Sequence, residues 1–312
     1  MRASFGPIVT ALALVALAPP LGAQTPPPPL VKAEGLRQIS PHVHIIPDNS
    51  VPLVPNVGYV VGDRAVLVID TGLGPRNGAA VYEVAKKLGG SKPLYLVTTH
   101  VHPEHDLGAQ AFPDTTKLIR SADQVKDIAE FGLQLADVFA GRSAINAELL
   151  KGANFRKADI VFERDYDLDL GGVHARLLWR GPAAMHTRGD TMIFVEEDRV
   201  LFTGDVVMSQ RFLAAQNTSS ITTWLSTLDE LAALRPATVV PSHGSIGDAT
   251  LIARDRAFLQ AVQERAGELK RAGKSNDEAV AAVVADIAPK YPEWGNPSGA
   301  AAVARAAYAA AR

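Results

Sequence analysis

T-H-V-H-P-E-H-D-L, Thr99 to Leu107, places three histidines and a glutamate within the six positions from His100 to His105. Imidazole and carboxylate donors at this density suit a divalent metal. The preceding residues 94–98, L-Y-L-V-T, form a short β-rich run, so the histidines sit on a loop just past a strand end, where side chains converge without interrupting a ladder. In an extended stretch His100 and His102 point the same way, while a turn at Pro103 brings Glu104 and His105 toward a second position ~3.5–4 Å away, the separation of two-metal sites. The competing reading is a solvated polar loop, and further ligands downstream decide between the two.

Composition limits what such a site can serve. The 312 residues are 47% hydrophobic with a formal charge of −2, enough for one large globular domain or a domain with an appendage. No block of like charge marks a nucleic-acid surface, so a small-molecule substrate is the expected partner. Cysteine is absent, which excludes disulfides, a cysteine-linked lipid anchor and thiolate ligands, and leaves His, Asp and Glu to hold any metal.

The N-terminus reads as a cleavable signal peptide over residues 1–23. Arg2 is its basic end, residues 8–18 are its apolar run, and Gly22-Ala23 precedes an expected cut near Ala23-Gln24. Cleavage would leave a net charge of −3. The run is shorter than the ~20 residues of a spanning helix, so the expectation is a periplasmic or secreted chain without a stable membrane anchor. A proline-rich linker over 24–37 follows, with the folded domain over 38–248 and a helical extension over 249–312.

Strand-forming runs at 42–46, 57–61 and 65–69 make a meander. His42 and His44 share one face of the first, which reads as a partly buried edge strand more readily than as a metal site. The third ends in I-D-T-G, delivering Asp70 at a strand terminus, and residues 77–88 then carry helical spacing up to Gly89-Gly90. Residues 121–150 read as mainly helical, capped by Ser121, with Phe131, Leu135, Val138 and Phe139 as an apolar stripe. They form either an insertion over the site or a plain packing helix.

Hairpins are expected over 166–179, turning at Gly171-Gly172, and over 191–203. His174 inside the first reads as a surface histidine. His186 is read as ending a strand, like His100. The second hairpin leads to T-G-D with Asp205, and the strand 237–240 leads to P-S-H-G with His243. Helices are expected over 223–234, 249–272 and 276–287, the last capped by Ser275, and from Ser298 onward. The late helices read as outer packing, with a dimer surface or a pocket wall as functional alternatives. Arg142, Lys151 and Arg211 lie where they could border the site and hold a carboxylate, or simply be solvated.

I-D-T-G, T-H-V-H-P-E-H-D-L-G, His186 before T-R-G-D-T, T-G-D and P-S-H-G, in this order, resemble the metallo-β-lactamase fold superfamily of metallohydrolases over residues 39–248. The resemblance implies an α/β fold, a four-layer αβ/βα sandwich with extra C-terminal helices here, and two Zn2+ per chain at one edge, with Fe or Mn as substitutes. On that pattern His100, His102 and His186 hold one metal. Glu104, His105 and His243 hold the other, Asp205 bridges, and Asp70 steadies the metal loop without ligating.

The family string is H-x-H-x-D-H, so Glu104 departs from it by one methylene. Glu104 either ligates or acts on the water as a base. The implied activity is an exported zinc-dependent hydrolase in which a metal-bound hydroxide attacks the carbonyl of an ester, lactone, thioester or β-lactam. Asp205 in T-G-D resembles the thioesterase, lactonase and esterase branches, whereas export suits a β-lactamase. The alternative is a periplasmic metal-binding accessory protein serving an oxidoreductase system, with little turnover.

Overall fold

The computed structural model describes residues 26–216 and 218–311. The expected signal peptide, and the start of the linker, lie outside them. Among the described residues no helix is long and apolar enough to cross a membrane.

The strands form two sheets. In the first, β1 (Arg37–Gln38), β2 (Val43–Ile46), β3 (Val57–Val61) and β4 (Val66–Ile69) run antiparallel. Then β5 (Leu94–Val97), β6 (Lys117–Ser121) and β7 (Ile160–Phe162) add parallel neighbours beside β4. The second sheet follows the order β12 (Thr238–Val240), β11 (Val200–Phe202), β10 (Met192–Val195), β9 (His174–Leu178) and β8 (Tyr166–Asp169), with only β11 and β12 parallel.

Nine helices flank them among the described residues: α1 (Gly74–Gly89), α2 (Pro103–Asp106), α3 (Ala122–Asp127), α4 (Leu133–Ala140), α5 (Ala144–Leu149), α6 (Ile221–Ala233), α7 (Thr250–Arg271), α8 (Asn276–Ile287) and α9 (Pro297–Ala310).

Side-chain alternation decides the layering. Val43, Ile45, Leu67, Ile69 and Val97 of the first sheet meet Ala175, Leu177, Ile193, Val195 and Phe202 of the second in one apolar layer. The opposite face of the first sheet, with Tyr59, Val68 and Leu96, is covered by Val81, Val84 and Ala85 of α1. The opposite face of the second, with Met192, Phe194 and Leu201, is covered by Trp224 and Leu228 of α6 and by α7 to α9. Helix, sheet, sheet and helix are therefore stacked in the four layers expected. The predicted α7 stripe of Leu251, Phe258, Leu259, Val262 and Leu269 is buried in this outer layer. The Ser275 cap closes as a full capping box with Glu278.

Three local expectations need correction. The linker read over 24–37 is docked from Leu30: the Leu30 and Val31 N–H groups donate to Asn77 Oδ1 at 2.7 and 2.9 Å, and Val31 is buried. Two apolar residues are too few to show a period, yet enough to anchor a strap on α1. The strand β2 is not an edge, because β1 pairs beyond it. His42 pairs there with Asp198 at 2.7 Å, which ties it to the turn between β10 and β11.

The helical stretch 121–150 is interrupted by a π turn, Ile128–Gly132. The extra residue rotates the following face by roughly 100°. Phe139 is buried as expected, but Val138 is 54% exposed and leaves the apolar stripe.

Candidate metal centre

The strand β4 ends at Asp70, whose φ of +62° lies in the left-handed region that aspartate tolerates better than most side chains. That turn aims the carboxylate across the sheet edge. Asp70 Oδ1 accepts the Thr99 N–H at 2.7 Å, and Oδ2 accepts the Thr99 hydroxyl at 3.0 Å and His105 Nδ1–H at 2.8 Å. Thr71 donates from its backbone and its hydroxyl to the His105 carbonyl at 3.1 and 2.8 Å. The I-D-T-G turn thus grips the histidine loop from beneath.

Past β5 the chain makes a single helical turn, α2, preceded by His102 as its cap residue. Pro103 at the first helical position favours that turn. The turn puts Glu104 and His105 on a different side from His100 and His102. Packing is tight behind it: a Cβ on Gly78 of α1 would lie 1.9 Å from the Gly108 carbonyl oxygen, so only glycine permits this approach.

His186 does not end a strand. It lies eight residues beyond Leu178, the last residue of β9, in the loop before β10. Side chains hold that loop in place. Asp190 accepts the backbone N–H groups of His186 and Thr187 at 2.8 and 2.9 Å and the Thr187 hydroxyl at 2.6 Å. Burial pushes the Asp190 carboxyl up to about 6, against the pull of His186 and these donors. Asp205 follows β11 in a short 3-10 turn, and His243 follows β12.

These loops bring the candidate ligands into two groups, His100, His102, His186 and Asp205 in one and Glu104, His105 and His243 in the other. Asp205 faces both. Its Oδ2 is 3.9 Å from His100 Nε2 and 3.5 Å from His186 Nε2, while Oδ1 is 3.8 Å from both His105 Nε2 and His243 Nε2. Glu104 Oε1 is 4.0 Å from His105 Nε2. Donors on a tetrahedral ion with bonds of ~2.1 Å stand about 3.4 Å apart, so the spacings suit metals at both groups.

The ring nitrogens are sorted accordingly. His105 spends Nδ1 on Asp70, His186 on the Ala214 carbonyl at 2.6 Å, and His243 on the Val54 carbonyl at 3.1 Å. His100 Nδ1 lies 3.0 Å from the Thr99 hydroxyl. Each leaves Nε2 turned inward. Buried His100 Nε2, His105 Nε2, Glu104 Oε2 and Asp205 Oδ1 have no hydrogen-bond partner. Such orphans cost ~1–3 kcal/mol each, and their convergence on one space is what a bound cation relieves.

Charge state agrees. Burial, and then the neighbouring histidines, hold His100 and His102 well below the ordinary imidazole range, so both are neutral and competent to ligate. For His105 burial acts in the same sense, but the Asp70 carboxylate, with Asp205 and Glu104, outweighs it and pushes the group up to about 9. Burial also opposes ionisation of Asp205, yet His243 and the other imidazoles pull it down to about 2. Glu104 is raised, chiefly by burial.

A family profile described as the metallo-beta-lactamase superfamily matches residues 51–243. The chain belongs to the metallo-β-lactamase superfamily. Solved structures of that fold align along most of it. A stereoselective inverting sec-alkylsulfatase from Pseudomonas sp. aligns at a TM-score of 0.65 with 16% identity, over 88% of this chain and 49% of that one. A metallo-β-lactamase family protein from Thermus thermophilus gives 0.59 and 19%, over 86% and 93%. A metallo-β-lactamase from Pontibacter korlensis gives 0.53 and 21%, over 72% and 98%. The chain spans about half the length of the alkylsulfatase. No curated protein matches by sequence.

Besides Asp190, sequence reasoning missed Asp106 and Arg120, which support the site. Asp106, in the opening stretch itself, is buried and accepts Arg120 Nε and Nη2 at 2.8 and 2.6 Å, Thr98 Oγ1 at 2.8 Å and Gln124 Nε2 at 3.1 Å. It locks α2 to β6 and α3. A fifth ionisable residue directly after H-x-H-x-E-H was the available signal; Arg120, inside an apolar strand, was the other. Of the three cations singled out, Lys151 lies 3.9 Å from Glu148. Arg211 is bridged to Gly295 through its backbone. Arg142 stacks on Phe139.

Proposed function

We propose that this superfamily member is a metal-dependent hydrolase with two zinc ions. His100, His102 and His186 would hold one, Glu104, His105 and His243 the other, with Asp205 between them. The observation that carries this reading is the Asp205 carboxylate, with one oxygen toward each histidine group. Imidazole and carboxylate donors without thiolate suit zinc, and admit iron or manganese. Zinc would supply Lewis acidity and lower the pKa of its water to ~7.

The chain's own residues do the rest. Asp70 keeps the proton on His105 Nδ1, which leaves Nε2 as the donor atom. Glu104 extends its unpartnered Oε2 into the same space, where it serves as a ligand and can accept a proton from the attacking water. His102 is the one half-buried member of the set, so substrate enters on its side.

The substrate is proposed to be a small molecule carrying an ester, lactone, thioester or β-lactam bond; the likeness to a sec-alkylsulfatase adds sulfate esters. Export through the leader at residues 1–23 is proposed on the sequence alone.

Turnover of a panel of chromogenic β-lactam, lactone, thioester and alkyl sulfate substrates tests this reading. One class should be hydrolysed by the metal-loaded chain and not by His102→Ala. A fully loaded chain that turns over none of them leaves the accessory metal-binding protein.

A further inference from the structure

The approach to the metal centre is asymmetric. Six of the seven candidate ligands are buried, and only His102 reaches partial exposure. The His102 ring packs against Phe139 of α4 at a centroid distance of 5.6 Å. The outer face of Phe139 is covered in turn by Arg142, whose guanidinium carbon stands 3.6 Å from the ring centroid. Arg142 is therefore an exposed cation two contacts from His102, the half-buried member of the cluster.

Its chemistry there is unspent. Arg188 is paired with Asp127 and Glu130, and Lys151 has Glu148. No carboxylate lies within salt-bridge distance of Arg142 among the described residues. Stacking occupies the flat face of a guanidinium and leaves its edge of N–H donors free, a geometry that receives an oxyanion through paired hydrogen bonds. The aromatic contact also fixes the side chain, which reduces the entropy lost on binding.

We propose that Arg142 receives a carboxylate or sulfate group of the substrate at the His102 side of the metal centre, so that the preferred substrates are anionic. This rests on the two-metal hydrolase reading and narrows it. Arg142 would be a binding residue for a part of the substrate remote from the bond that breaks.

The test uses zinc-loaded full-length protein and a series of mercaptocarboxylates of increasing chain length, each beside its neutral amide, with affinity read by calorimetry. The thiolate anchors each probe at the metal, so the pair differs only in charge at the far end. At the best chain length, Arg142→Met should weaken the carboxylate about fivefold, as expected for an exposed charge pair, and leave the amide unchanged. Methionine keeps the cover over Phe139, and Arg142→Lys, which keeps the charge but not the fork of donors, should bind the carboxylate with an affinity between those of the wild type and Arg142→Met. A carboxylate preference unaltered in Arg142→Met overturns the proposal, as does equal weakening of both probes, which would show a merely structural role. Binding of neither thiol to the wild-type chain overturns the metal-centre reading itself, and this assignment with it.

Discussion

His105 and Asp70, 35 residues apart, meet at 2.8 Å in the interior, with both side chains almost wholly buried. The contact fixes the ring of His105 so that Nε2 faces Glu104 and Asp205, and it ties the end of β4 to the single turn α2. Carboxylate partners of this kind raise the basicity of a ligating imidazole.

Replacing that carboxylate should therefore weaken the metal without breaking the fold. Asp70→Asn is expected to lower affinity at the Glu104, His105, His243 group by about 10- to 100-fold. Competition with a chromophoric chelator measures it, and an unchanged affinity would contradict the role given to Asp70.

Glu104 is the departure from the superfamily string. If it ligates, Glu104→Ala removes a donor from the three-residue group, and metal content should fall toward one ion per chain. Elemental analysis beside the wild type gives the answer. Full stoichiometry in the variant would leave Glu104 a role on the water only.

Metal uptake should be coupled to pH through His105. With its metal-free pKa pushed up to about 9, this histidine carries a proton at neutrality that zinc must displace. Apparent affinity at its group should rise roughly tenfold per pH unit between ~7 and ~9, with about one proton released per ion. Calorimetry in buffers of different ionisation enthalpy reads the release. For stability of the metal-free chain the sign is opposite: the folded-state value lies above the ordinary 6.5, so the contribution is complete below ~6.5 and lost as pH rises through ~9.

The pair Arg120 and Asp106 is buried on both sides. Arg120→Met leaves Asp106 charged and uncompensated, which should cost about 3–5 kcal/mol of stability. Urea unfolding of the metal-free protein tests it, and a loss below ~1 kcal/mol would show the pair to be dispensable.

Much of this centre was legible because its donors occupy short strings at strand ends, where β-rich runs such as 66–69 and 94–97 announce themselves. His186 was found in sequence but given the wrong setting. Its loop is held by Asp190 through side chain-to-backbone bonds, which leave no period to read. The π turn at 128–132 was equally hidden, since one inserted helical residue changes facing and not composition. Asp106 and Arg120 needed three dimensions, because a buried ion pair between a helix turn and a strand follows no local spacing. The four layers themselves followed from the resemblance, and the packing of both sheet faces bears them out.

The central claim is that Asp205 is shared between two metals. Metal content of the wild-type chain and of Asp205→Ala, each equilibrated with zinc and freed of excess, tests it most directly. The account predicts two ions per wild-type chain and a loss of affinity at both groups in the variant. A single ion in the wild type, or an Asp205→Ala chain that retains both, would contradict it.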